Sequence, residues 1–254
     1  MTITTSVSML REAWSSLSLK ERLAAFETLP RADAEALLLG LDPHEQAELL
    51  VSLPTPERKL WFRALPPDDA ADCLQAASPA DRKALLELLD EGARGEMNAL
   101  LAYAEDEAGG LMSPRFARVR PDMRVDEALS YLRRQALERV ETLYYAYVLD
   151  RDQRLLGVAS IRELFAARSD VIVAEVMRAD VIMVREDTDQ EDLVRLFAEH
   201  DLLAIPVVDE ARRLRGIVTV DDVVDVEREE STEDFHKVGG MQALAAPYLE
   251  ARFS

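Results

Sequence analysis

A chain of 254 residues has room for two domains, and a composition that is 48% hydrophobic and 31% charged is that of a globular protein, not a disordered or fibrous one. The formal net charge of −19 argues against nucleic acid and anionic membrane surfaces as partners and favours metal cations or basic partners. The single cysteine, Cys73, cannot close a disulfide within the chain, no apolar run approaches the roughly 18–20 residues that span a bilayer, and the N-terminus lacks the charged and apolar regions of a signal peptide.

From about Val7 to Ala104 the pattern predicts short helices, with prolines at 30, 43, 54, 66 and 79 each following a Leu- or Ala-rich segment. Asp42-Pro43, Thr55-Pro56 and Ser78-Pro79 set a capping side chain before a first-turn proline, which predicts a helix start at each. The segments LPRADAEALLLGL, DPHEQAELLVSL, TPERKLWFRAL, PPDDAADCLQAA and SPADRKALLELLD share this layout. A short helix cannot bury its apolar stripe alone, so the segments are expected to stack into a small solenoid. Cys73 sits in a helical Ala/Leu pattern and reads as a small core residue. His44, with Glu45 beside it but no second histidine at metal-binding spacing, reads as a surface residue.

Composition changes at 103–114, where Gly109 and Gly110 would let the chain turn freely and bring a carbonyl close to a ligand. Beyond them the pattern becomes α/β and repeats. The first copy predicts a strand at Phe116–Arg120, a helix at Val125–Glu138, strands at Thr142–Asp150 and Leu155–Ser160, and a helix at Ile161–Ala167. The second predicts a strand at Val181–Arg185, a helix at Thr188–Asp201, strands at Leu203–Asp209 and Leu214–Val220, and a closing acidic helix. Met112 aligns with Met177 and Gly157 with Gly216, the first copy carrying extra residues near Ala136–Thr142.

Between Gly216 and Phe235 stand eight acids and one base, Arg228. Asp222, Asp225, Glu229 and Glu233 share a helix face, where each like-charge pair costs roughly 0.2–0.5 kcal/mol. Either this is a solvated helix end or a bound cation offsets the repulsion. No nucleophile–base set or catalytic metal motif points to an enzyme.

The tandem unit, closing on GVASIRE (157–163) and on GIVTVDD (216–222) after LLAIPVVDE (202–210), resembles a pair of CBS domains. Taken with the short-helix region, EDEAGGLMSP, ETLYYAYV, TDQEDLVRLFAEHD and STEDFHKVGG, nearly the whole chain resembles the MgtE family of magnesium transporters and ends where that family's membrane helices should begin. The resemblance implies an α-helical superhelical N domain over 1–104, an α/β tandem CBS pair over 105–170 and 171–226, and the start of a connecting plug helix over 227–254. It implies a magnesium sensor on the cytoplasmic face of the membrane, in which Mg2+ holds these parts compact and the chain's own transmembrane pore, absent from this sequence, shut.

By position in the family, Asp68 and Asp72 of the N domain would share ions with the Gly110 carbonyl and Asp222. Glu191, the Ala198 carbonyl and Asp201 would do so with Asp225, Glu230, Glu233 and Asp234 of the plug helix. Magnesium suits such sites, since it takes six oxygens near-octahedrally and keeps several waters. Asp68 and Asp69 also fit simple charge compensation at a helix N-terminus. His200 and His236 read as surface or packing residues. The resemblance extends to ATP, with Tyr145 stacking on the base, Arg162 meeting phosphate and Glu163, where aspartate is usual, accepting from ribose. A symmetric homodimer through the CBS domains is expected. The competing reading is a free-standing CBS module that binds adenine nucleotide and regulates another protein.

Overall fold

The computed structural model describes residues 3–138, 140–224 and 226. The chain forms two compact units, Met1–Glu105 with Ser113–Arg115, and Asp106–Met112 with Phe116–Ser254. No helix among the described residues is long and apolar enough to cross a membrane.

The first unit is a run of short helices: α1 (Ile3–Ala13), α2 (Leu19–Thr28), α3 (Arg31–Leu38), α4 (Pro43–Ser52), α5 (Thr55–Phe62), α6 (Pro67–Ala76), α7 (Pro79–Leu86) and α8 (Glu91–Leu100). Alternate helices pack side by side, α1 on α3 and then α2, α4, α6 and α8 in succession, as the expected stacking requires. Leu37, Leu38, Leu49, Leu50, Phe62, Leu74 and Leu85 are fully enclosed between them. Cys73 joins this core, and burial with Asp72 and Asp69 nearby pushes its thiol up to about 12.

The proline signals work in two ways. Asp42 and Ser78 cap α4 and α7 by accepting from the Glu45 and Asp81 amides, as expected. Thr55 does not cap α5. Pro54 already holds the extended N-cap conformation (φ −56°, ψ 147°), which moves Thr55 into the first helical position. Pro30 and Pro66 do the same for α3 and α6.

Helix C-termini are closed by a device the sequence did not announce. The fourth residue of α2, α4, α5, α7 and α8 (Arg22, Gln46, Arg58, Arg82 and Arg94) donates to the carbonyl eight positions back. Carbonyls at a helix's end, most of them already accepting from the amide three residues on, thus gain a donor from the next helix's side chain instead of from a glycine cap.

In the second unit a short helix α9 (Ala108–Leu111) precedes two copies of one motif. The first contains β1 (Arg118–Val119), α10 (Val125–Gln135), β2 (Tyr145–Leu149), β3 (Leu155–Ser160) and α11 (Ile161–Ala166). After α12 (Val173–Val176), the second contains β4 (Val184–Arg185), α13 (Gln190–His200), β5 (Ala204–Val208), β6 (Leu214–Thr219) and a helix from 220 to 224. Each copy makes a three-stranded sheet, with its first strand parallel and its last antiparallel to the middle one. The registers repeat as well: Tyr145 faces Ser160 as Ala204 faces Thr219.

The copies are joined at their hairpin turns. Gln153 and Arg212 take matching left-handed conformations (φ 64° and 60°), which frees each carbonyl to accept from the other copy's Leu214 or Leu155 amide at 3.0 Å. Between the sheets, Tyr147, Leu149, Leu155, Val208, Leu214 and Ile217 make a shared core. The expected strands at Phe116–Arg120 and Val181–Arg185 pair over only two residues each, because Phe116, Val181 and Met183 pack onto this core instead of extending the ladder.

Gly109 and Gly110 do not form the expected free turn. Both lie buried in α9, and neither has a positive φ. The Ala108 and Gly109 amides donate to the Thr188 and Glu186 carbonyls, tying α9 to the second copy.

Candidate functional site

At the end of β3 the chain passes into α11 through a reciprocal cap. Ser160 accepts from the Glu163 amide, and one Glu163 carboxylate oxygen, Oε2, accepts from the Ser160 amide (2.9 Å) and hydroxyl (2.7 Å). The other oxygen, Oε1, accepts from Nε and Nη2 of Arg178 at 2.9 and 2.6 Å. Partial burial pushes the Glu163 carboxyl up, but the hydrogen bonds from Ser160 and the Arg178 guanidinium outweigh it and hold the group below the ordinary carboxylate range.

Arg178 reaches this point because its backbone is fixed on β3. Its carbonyl accepts from the Val158 amide at 2.9 Å, and its own amide donates to the Val158 carbonyl at 2.8 Å. A Cβ on Gly157 would lie 2.6 Å from the Arg178 carbonyl oxygen, so only glycine allows the two chains to meet.

Around this pair lies a cleft of about 540 Å³ lined by Tyr144, Tyr145, Ser160, Arg162, Glu163, Arg178 and Leu203. Tyr145, Arg162 and Glu163, expected from sequence to meet a nucleotide, stand together here. Tyr144, Ser160, Arg178 and Leu203 were not foreseen. For Arg178 the available signal was the strand glycine, which announces a close backbone approach but not the residue making it.

The second copy repeats the cap with the opposite electrostatics. Asp222 Oδ2 accepts from the Thr219 amide (2.8 Å) and hydroxyl (2.6 Å), as Glu163 does from Ser160. Part of the residue remains exposed, but its carboxyl group is largely enclosed. Loss of solvation drives the carboxyl up to about 7 against the pull of the Thr219 hydrogen bonds, and Asp221 and Glu141 add to the rise. Glu141 comes from the extra residues of the first copy.

The remaining residues expected to hold metal belong to α6, α9 and α13 among the described residues. Asp68 is buried and Asp72 half-buried on α6 of the helical unit. Gly110 lies in α9, which packs against β4 and β6. Glu191 and Ala198 are exposed on α13, whose other side buries Leu193 and Phe197. Asp201 ends that helix in the left-handed conformation (φ 48°), one that aspartate tolerates. His44 and His200 are exposed. Asp225, Glu230, Glu233, Asp234 and His236 lie outside the described residues. Among the described residues, no three His, Cys, Asp or Glu side chains converge as a preformed metal cage.

Residues 6–106 match the MgtE intracellular N domain, and residues 108–170 and 173–229 each match the CBS domain. The magnesium transporter MgtE of Thermus thermophilus is 47% identical over 241 residues, which are 94% of this chain and 53% of that protein. The chain spans about half or less of the length of the curated relatives it matches most strongly. A crystal structure of the cytosolic domain of the Mg2+ channel MgtE in complex with ATP superposes with a TM-score of 0.81 at 47% identity, covering 87% of this chain and 90% of the other. A second, of the soluble part of a magnesium transporter, gives 0.70 at 30% identity and covers 89% and 94%. The helical unit and the doubled α/β motif are therefore an N domain and a CBS pair, and the chain belongs to the MgtE family.

Proposed function

We propose that this chain is the cytosolic, magnesium-sensing regulatory region of an MgtE-type Mg2+ channel or transporter. Magnesium shared among acids of the N domain, the CBS pair and the following plug helix favours a compact state that holds the pore closed. The observation that carries this reading is Asp222. An enclosed carboxyl with Asp221 and Glu141 nearby, raised to about 7, is an oxygen donor whose ionised form is disfavoured, and a hard divalent cation would favour it. The donors present fit that ion. Asp68, Asp72, the Gly110 carbonyl and Asp222 form the first proposed set. Glu191, the Ala198 carbonyl and Asp201 form the second, with Asp225, Glu230, Glu233 and Asp234.

Ions that bind only the compact state stabilise it by RT ln(1 + [L]/Kd), about 2.7 kcal/mol per site at a hundredfold excess over Kd. Several weak sites then give a steep response. Small-angle scattering and limited proteolysis across a magnesium titration test this. A smaller radius of gyration and slower cleavage are expected at high magnesium, and identical profiles with and without the ion refute it. In the whole protein the region works at the cytoplasmic face of the membrane, as a homodimer paired through its CBS domains, and catalyses no reaction.

Adenine nucleotide is the second proposed ligand. The cleft beside Tyr145 combines two arginines with two tyrosines, a fit for an aromatic base carrying an anionic tail. If the chain were a free-standing nucleotide module, neutralising Asp68 and Asp222 would leave its response to nucleotide intact and there would be no magnesium compaction to lose.

A further inference from the structure

We propose that Glu163 is the anchor of Arg178 and not a reader of ribose, so that the cleft selects its ligand by phosphate charge and leaves the 2′-hydroxyl unread. This rests on the nucleotide reading above.

An ionised carboxylate offers about four acceptor positions, two on each oxygen. In Glu163 all four are taken, Oε2 by the Ser160 amide and hydroxyl and Oε1 by Nε and Nη2 of Arg178. A ribose hydroxyl would have to displace one of these donors. Displacing Ser160 undoes the cap of α11. Displacing Arg178 leaves a bare carboxylate beside an anionic ligand, which is electrostatically worse than the arrangement it replaces.

Arg178, by contrast, has capacity to spare. A guanidinium carries five N–H donors, of which the contact to Glu163 uses two. Its backbone is clamped to Val158 on both sides, and its side chain is 67% exposed, so the remaining donors are available to an incoming oxyanion. The ion pair sets the direction of the guanidinium while solvent exposure keeps the pair weak enough to adjust. With Arg162 this makes two positive groups against one negative in the lining of the cleft, on a chain whose net charge is −19. Phosphate is the part of a nucleotide that such a lining rewards.

The test is calorimetric titration of the 254-residue chain with ATP, 2′-deoxy-ATP and adenosine, for the unaltered protein and for Arg178→Ala and Glu163→Gln. The unaltered protein should bind ATP and 2′-deoxy-ATP within about twofold of each other and adenosine at least about tenfold more weakly. Arg178→Ala should weaken ATP by about tenfold while leaving adenosine within about twofold. Glu163→Gln should weaken ATP in the same sense without changing the ratio of ATP to its deoxy analogue. A 2′-deoxy-ATP affinity about tenfold below that of ATP overturns the inference and leaves nucleotide binding standing. An ATP affinity unchanged in Arg178→Ala overturns it as well. If ATP does not bind at all, the nucleotide reading fails and the inference with it. The comparison of ATP with its deoxy analogue needs no variant, so it is decisive even if a substitution disturbs folding.

Discussion

Replacing Asp222 with asparagine isolates one negative charge with almost no change of shape. The side-chain amide oxygen of the Asp222→Asn variant would still accept from the Thr219 amide and hydroxyl, so the cap is retained and only the charge is lost. In the folded chain the Asp222 carboxyl is raised from 3.8 to about 7. At about 1.4 kcal/mol per pKa unit, that limits the strain of the ionised group to roughly 4 kcal/mol, and the residue's partial exposure reduces it to about 2–4 kcal/mol. The sign follows from proton linkage. Between the two values the folded chain holds a proton that the unfolded chain has released, so stability falls as pH rises from about 4 to about 7 and stays at the lower level above that.

Without metal, Asp222→Asn should therefore be the more stable protein at pH 8, by about 2–4 kcal/mol, and equal to the parent near pH 4. Hydrogen exchange of the β5 and β6 amides, compared between the two proteins at each pH in EDTA, reads this locally. Other acids titrate alike in both and cancel. Added magnesium should then protect the parent more than the variant, which keeps only the second proposed set. Equal protection of the two proteins at pH 8 in EDTA would refute the account of Asp222 as a strained, enclosed charge.

Three further outcomes are expected. Arg82→Ala removes the donors to the Leu74 and Gln75 carbonyls, held at 2.6 and 2.8 Å, and should cost about 1–3 kcal/mol in urea unfolding of the helical unit. Gly157→Ala forces β3 away from Arg178 and should cost about 1–3 kcal/mol of stability; since it also moves the guanidinium, ATP should bind more weakly in calorimetry. Cys73, buried with its thiol pushed up to about 12, should resist a thiol-specific reagent at pH 8 until urea unfolds the chain, a result read by absorbance.

Elements were legible in the sequence where a local rule decided them. Periodicity and proline placement located the short helices, and the repeated Gly-apolar-apolar-Ser/Thr located β3 and β6. What escaped depends on contacts between distant residues. Apolar runs at 116–120 and 181–185 look like strands of five residues, yet β2 and β5 offer partners for only two, and Phe116, Val181 and Met183 turn to the inter-sheet core. The glycines at 109 and 110 signal freedom, but that freedom goes unused once α9 docks. At the cleft, Tyr145, Arg162 and Glu163 belong to one copy and could be read as a motif. Arg178 arrives by pairing with Val158 of β3 and Leu203 from the second copy, which no spacing encodes. The charge on Asp222 was visible, but its elevation was not, because that comes first from loss of solvation on folding, with smaller contributions from Asp221 and from Glu141 in the segment where the two copies lose alignment.

The side-chain brackets of the helical unit bear on how that unit bends. Each fastens a helix to the end of its predecessor, and Arg22 also reaches on to Glu45 and Glu48 of α4. Arg58 grips three carbonyls, those of Leu50, Val51 and Leu53, and makes α4 and α5 a rigid elbow. At the fourth place of α3 and α6 stand Ala34 and Ala70, whose methyl groups can grip nothing. Those two helices therefore begin without a bracket of this kind. One of them is α6, so Asp68 and Asp72 sit on a helix placed by its packing against α4, α7 and α8 without such a bracket at its start.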